Sequence, residues 1–282
     1  MSISASSARR TESDQNQGIY FMRLKWYGTA TILIEQGGTQ LLFDPFLSLN
    51  ADTFKPPIDE LSEAENILVT HGHLDHIVGI PKILHHSSGL AKVYCTASPR
   101  KTLISKGIEE AQIQPIAPGD VLIFEPFEVH ILKGKHIVFD KRLIMKTFFS
   151  PRVLRNWSNF RYIMKENKNC SEAGETVIYD IRVGDERILL LGSLNLNENT
   201  EYLKGVDLLI LPLQGRTDVS KYAMHIIDWL QPKKVLLDHF DDSFPPISSA
   251  VKTEQFVLLM KNEHPDVTVI CPQASAAWIE VA

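Results

Sequence analysis

The segment Ile67–Gly79 reads ILVTHGHLDHIVG and places His71, His73, Asp75 and His76 within six residues, directly after an apolar run. Imidazole nitrogens together with a carboxylate oxygen suit zinc, manganese or iron better than calcium, which prefers oxygen alone. In extended backbone alternate side chains share a face, so His71, His73 and Asp75 point to one side. His76 opens the helix expected next and points elsewhere. One short loop therefore offers ligands in two directions, and Gly72 lets it turn tightly. A solvated histidine-rich turn is the competing reading, and four ligand-type residues at this spacing argue against it.

Such a loop needs a rigid frame. Residues 23–45 read as a strand hairpin turning at Gly37-Gly38, and residues 176–193 repeat the plan around Val183-Gly184-Asp185. This suggests a weak internal duplication in which each half supplies a sheet. Between and after the hairpins the pattern predicts strands at Asn66–Thr70, Ala91–Thr96, 121–132, Val206–Leu213 and Lys234–Asp238. It predicts helices at Ile77–His86, after a cap near Ser98, at Tyr222–Leu230 and at Thr253–Asn262, with two closing strands. Mixed strands and helices without a Pro/Gly-rich linker indicate one layered α/β domain over residues 22–282.

The formal net charge of -5 argues against a general nucleic-acid binder. No apolar run reaches the roughly 18 residues of a membrane helix. Residues 1–21 are polar, lack the apolar centre of a signal peptide, and are expected to form a disordered leader. Cys95, Cys170 and Cys271 lie far apart. The apolar, strand-like surroundings of Cys95 and Cys271 suggest buried thiols in a reducing compartment, so the default location is the cytoplasm. A homo-oligomer is compatible with this composition.

One segment breaks the alternation. Residues 137–175 are too long for a simple connection. From Lys141 to Lys168 there are eight basic residues, Arg152, Arg155 and Arg161 among them, opposed only by Glu166. Phe148, Phe149, Trp157, Phe160 and Tyr162 are interleaved. The expectation is a helical lid whose arginines attract a negatively charged substrate. The alternative is a solvated basic helix face whose aromatics fill a core or dimer contact.

The motif THGHLDH matches the HxHxDH signature of the metallo-β-lactamase superfamily of metal-dependent hydrolases. KWYGTATILIEQGGTQLLFDP resembles that superfamily's opening hairpin. DHFDDSFPPI is similar to the closing segment of its lactonase-like branch, which includes relatives of ascorbate-6-phosphate lactonase and of the phospholipase D acting on N-acyl phosphatidylethanolamine. The resemblance covers residues 22–282. It implies a four-layer αββα sandwich with metals at one edge of the two sheets. It also implies a third histidine for the first metal position. His130 and His136 are the candidates, and His136 is preferred because it follows the Gly134 turn. His239, at the end of a buried strand, is the implied last ligand. The first position is then His71, His73 and His136, and the second is Asp75, His76 and His239. The family's bridging aspartate is absent: LLLGSLN carries Ser193 in its place, with Asn195 nearby as a weak oxygen donor. In the family the position of Asp44 in FDP lies near the metals, where it would either fix a ligand histidine or serve as a structural turn. His85, His86, His225 and His264 are read as structural.

The resulting expectation is hydrolysis by metal-bound hydroxide of an ester, lactone or phosphodiester of an anionic small molecule, with Asp75 orienting or deprotonating the water. Zinc is the first candidate, with manganese or iron as alternatives, at one or two ions per chain. Two rival classes are a protein that keeps fold and metal without catalysis, which Ser193 favours, and a nuclease of the same fold.

Overall fold

The computed structural model describes residues 22–281, so the expected leader, residues 1–21, lies outside the described residues. The first half of the chain contributes β1 (Arg23–Gly28), β2 (Thr31–Gln36), β3 (Thr39–Phe43), β4 (Asn66–Leu68), β5 (Lys92–Cys95) and β6 (Ile113–Pro115). The second contributes β7 (Val121–Phe124), β8 (Phe127–Lys133), β9 (Val177–Val183), β10 (Glu186–Leu191), β11 (Leu208–Pro212), β12 (Lys234–Asp238) and β13 (Thr268–Ile270). The last strand, β14 (Ile279–Glu280), returns to the edge of the first sheet.

The two seven-stranded sheets run β14-β1-β2-β3-β4-β5-β6 and β7-β8-β9-β10-β11-β12-β13. In each, the first three pairings are antiparallel and the last three parallel. The two halves therefore share one topology, which agrees with the duplication suggested by the hairpins.

Side-chain alternation explains the layering. Ile32 and Ile34 of β2 enter the core between the sheets, whereas Leu33 faces outward. Likewise Leu208 and Ile210 of β11 point inward, and Leu209 and Leu211 point to the other face. Strands buried on both faces must be apolar throughout, as LLILP is. Helices α1 (Ile58–Ser62), α2 (Leu74–Ile77), α3 (Ile80–His86) and α4 (Ala97–Ser105) belong to the first half. Leu61, Ile77, Ile80, Ile83 and Leu103 pack these helices on the outer face of the first sheet. The expected insertion folds as α5 (Lys141–Phe148), α6 (Pro151–Arg155) and α7 (Trp157–Glu166). α8 (Val219–Leu230) and α9 (Glu254–Glu263) cover the second sheet through Ile227, Leu230, Phe256 and Met260. The result is the αββα sandwich. No helix among the described residues is long and apolar enough to cross a membrane.

Several expectations need adjustment. The helix expected over 77–86 is two helices broken at Val78-Gly79, where a Cβ on Gly79 would stand 2.4 Å from the Pro45 carbonyl oxygen. The cap near Ser98 is positioned at Thr96 instead, and the Glu175 carboxylate accepts from the Ser98 N–H at 2.7 Å. Strand β6 and helix α1 carry too short a pattern to be read from sequence. Cys271 is exposed, whereas Cys95 and Cys170 are buried.

The sheets meet where β4 ends. The Thr70 carbonyl accepts from the Val177 N–H at 2.9 Å, and the Tyr179 hydroxyl donates to the Val69 carbonyl at 2.7 Å. Gly192, after β10, packs so tightly on Thr70 that an added Cβ would lie 2.2 Å from the Thr70 side chain. Gly192→Ala is expected to lower unfolding free energy by about 1–3 kcal/mol through overpacking. Chemical denaturation checks this, and an unchanged midpoint would show that the junction can yield.

Candidate metal centre

Every expected ligand stands at the carboxyl end of a strand on one edge of the sandwich, the place where open α/β sheets bind ligands. The loop after β4 delivers His71 and His73, and α2 delivers Asp75 and His76. His136 follows β8, Ser193 follows β10, and His239 follows β12. Ligand atoms of His71, His73 and His136 lie within 4.8 Å of one another, and so do those of Asp75, His76 and His239. The two groups adjoin, with the His71 and His76 rings 3.9 Å apart. His130 does not join them: it pairs with Glu128 on β8. His85 and His86 are exposed, His225 faces Tyr222, and His264 binds Asp228.

The proton positions follow from the partners. Thr70 Oγ1 donates to Asp44 Oδ2 at 2.5 Å, so toward His71 Nδ1, 3.0 Å away, it can only accept. His71 Nδ1 then carries the hydrogen and Nε2 is left open. His76 Nδ1 lies 2.8 Å from Asp44 Oδ2 and donates to it, which likewise frees Nε2. His136 Nδ1 donates to the Ile137 carbonyl at 2.8 Å. Each of these ligand rings is thus held by its far nitrogen. Asp44 meets His76 directly and His71 through Thr70. Thr70, which also binds Asp44 Oδ1 through its N–H at 2.7 Å, was not singled out by sequence reasoning. Its position just before the first histidine was the only available signal.

The donor set fits a divalent cation. His71 Nε2 and His73 Nδ1 face each other at 3.2 Å, so the two rings present nitrogens to one point. Burial, reinforced by His76, His73 and His136, holds His71 far below its ordinary pKa. Burial pushes His73 down to about 4 against the opposing charge of Asp75. His136 is lowered too, chiefly by burial. Three neutral imidazoles with converging lone pairs form a cation site. In the second group, burial would raise Asp75, but His76, His239 and His73 outweigh it and hold it below the usual carboxylate range. Burial would lower His239, yet its hydrogen bond to Asp75 (Nε2 to Oδ2, 3.0 Å) and that carboxylate's charge bring it to about 9.

Two expectations change. Asn195 is no ligand: its Nδ2 donates to the His136 carbonyl at 3.1 Å, and its Oδ1 accepts from Leu196 N and the Tyr222 hydroxyl. It positions His136. Ser193 does line the site, and its Oγ accepts from the Ile137 N–H at 3.0 Å. The insertion is helical, but its arginines do not reach the site. A cavity of about 360 Å³ opens beside the ligands and is lined by α5 and α7. Arg152, Arg155 and Arg161 are not among its lining residues. Arg152 instead ties the lid to Asp242 and to the Ser248 carbonyl, while Arg155 and Arg161 are exposed.

Such a fold and ligand set define a metallo-hydrolase-type scaffold with two adjacent candidate metal positions. Residues 23–239 match the family described as Beta-lactamase superfamily domain, and the chain belongs to that family. It is similar to the UPF0173 metal-dependent hydrolase YtkL of Bacillus subtilis, 25% identical over 231 residues covering 80% of this chain and 88% of the relative. A Bacillus pumilus protein named UPF0173 metal-dependent hydrolase is 26% identical over the same coverage. Among solved structures, Igni18, a metallo hydrolase from Ignicoccus hospitalis, aligns with a TM-score of 0.58 at 15% identity, over 92% of this chain and 98% of that one. The metallo-beta-lactamase fold protein YhfI from Bacillus subtilis gives 0.58 at 14% identity, over 90% and 97%. At these identities the structural likeness concerns the fold.

Two outcomes follow. Thr70→Val removes the hydroxyl shared by Asp44 and His71, and zinc affinity in chelator competition should fall about 10–100-fold. The second concerns protons. Near neutral pH His71 and His73 are already neutral, whereas His239 carries a proton that a metal must displace. Calorimetry in buffers of different ionisation enthalpy should show the second metal equivalent releasing about one proton more than the first. Its affinity should rise about tenfold per pH unit until pH approaches 9. Equal proton release by both equivalents would contradict the His239–Asp75 assignment.

Proposed function

We propose that this chain is a metal-dependent hydrolase acting on an ester, lactone or phosphodiester, with zinc as the first candidate ion and manganese or iron as alternatives. The observation that carries the reading is the pair of adjoining three-ligand groups in the wall of a cavity. The naming of its Bacillus relatives as metal-dependent hydrolases supports it. Bound ions supply Lewis acidity and make a water acidic enough to react near neutral pH.

The chain's own residues do the rest. Asp75, held as a carboxylate, accepts a hydrogen bond from the attacking water and aims it at the electrophilic carbon or phosphorus. Its low proton affinity suits orientation better than proton storage. The Asp44–Thr70 pair fixes two ligand rings, and the Ile137 carbonyl a third. Helices α5 and α7 wall the cavity with apolar side chains. The anionic preference read from the basic insertion loses its support, because those arginines do not line the cavity.

Ser193 favours a second reading, in which the second position is weakly filled and catalysis is slow or lost. Without a bridging carboxylate, protein charge on two divalent ions falls to Asp75 among the ligands.

The test uses zinc- or manganese-reconstituted protein on ester, lactone and phosphodiester substrates, together with His71→Ala. Activity that falls by at least about a hundredfold in the variant supports the hydrolase reading. Absence of turnover on all three classes rejects it. Ser193→Asp separates the two readings. The Ile137 N–H can hold one oxygen of the introduced carboxylate, so metal content per chain should rise toward two. A large gain in rate alongside marks a decayed site, and no gain marks an enzyme adapted to its serine.

A further inference from the structure

We infer that the cavity under the lid receives the apolar acyl chain of an uncharged carboxylic ester. This rests on the hydrolase reading and narrows its substrate class. In the reaction, water adds to the acyl carbon, the acyl C–O bond breaks, and the departing alkoxide takes a proton. The products are the alcohol and the acid whose chain occupies the cavity.

The first ground is the lining. Away from the metal ligands the walls are chiefly aliphatic and aromatic: Leu143, Ile144 and Phe148 from α5, Ile163 and Met164 from α7, and Phe244 opposite. Five of these residues come from the two insertion helices and Phe244 from the distant segment after β12, so the fold closes the apolar surface across the site.

The second ground is charge. Among the described lining residues Arg216 is the only arginine or lysine. Its Nε and Nη2 bind both oxygens of Asp218 at 2.6 and 3.1 Å, and its guanidinium lies 4.7 Å from the Tyr222 ring centroid. A bidentate carboxylate already satisfies that charge, so it offers little to an anionic ligand. Gln214, Ser249, Thr147 and Asn167 supply neutral polar groups.

The third ground is the rim. Phe139, Ile144, Phe148 and Met164 line the cavity and yet are 42–46% exposed. The entrance is therefore as apolar as the interior, and a chain can enter without passing a charged collar. At about 360 Å³ the space lies at the small end of ligand pockets, fitting a medium-length chain beside an ester group.

The experiment uses the full chain reconstituted with zinc and a series of p-nitrophenyl esters from acetate to decanoate. Each methylene buried should lower KM about three- to fourfold until the cavity is full, after which KM levels off. Phe148→Glu and Met164→Glu, at partly exposed positions that tolerate charge without unfolding the chain, should flatten the ratio of octanoate to acetate KM. A parallel titration uses methyl ketones from 2-butanone to 2-decanone, which cannot be hydrolysed, read by displacement of a fluorescent apolar probe. Falling Kd with chain length in the ketones supports the cavity assignment whether or not esters turn over, and inert esters alongside it reject the hydrolase reading for esters. Ester turnover with KM independent of chain length, or lower KM for esters with a carboxylate at the chain end, leaves the hydrolase reading standing and overturns the apolar-chain assignment.

Discussion

A carboxylate with no exposure to water stands behind the histidine cluster, and its pairing constrains everything around it. Asp44 is 0% exposed, and an unpaired charge at that depth would be prohibitive. It accepts from the Thr70 N–H, the Thr70 hydroxyl and His76 Nδ1, while its own N–H donates to the Leu68 carbonyl. These bonds require a backbone with φ of 43° at Asp44, a left-handed conformation unusual for a residue with a side chain. The turn is held by Thr31, whose hydroxyl donates to the Asp44 carbonyl and accepts from Phe46 N.

From Asp44 the order propagates through Thr70. Its hydroxyl sets the tautomer of His71, and its side chain is the surface on which Gly192 of the second half closes. Ser193, next in sequence, accepts from Ile137 N, and Ile137 O holds His136. One continuous line of contacts thus runs from the first hairpin to the third ligand. Gly72 adds a second clamp, since a Cβ there would stand 2.1 Å from the Ser171 carbonyl oxygen beyond the lid. Ligand loop, lid exit and second sheet are consequently assembled together.

The lid illustrates how charge count and charge placement differ. A run of eight cations suggested an anion trap, yet Arg152 serves as a tether to Asp242, and α5 is anchored by Asp140, which caps Leu143 N and binds Thr217. An amphipathic helix has two faces, and composition alone does not say which one meets the site. Here the apolar face of α5 lines the cavity and the cations remain outside.

Much of this protein is written in local pattern. The continuous apolar runs of β2, β3, β9 and β10 match strands buried on both faces, with successive side chains shared between the inter-sheet core and the helix layers. The cluster from His71 to His76 declared a metal loop through ligand chemistry at close spacing. His136 and His239, distant in sequence, were reached by resemblance, since nothing local to either shows which strand ends converge. The tertiary structure brought His136, three residues past β8, to the loop ligands and left His130 on the strand. It alone revealed Thr70 as the hub, turned Asn195 from ligand to support, and put the lid's arginines outside. Each of these outcomes depends on which groups meet across the two sheets, and a contact between distant residues leaves no period or spacing along the chain.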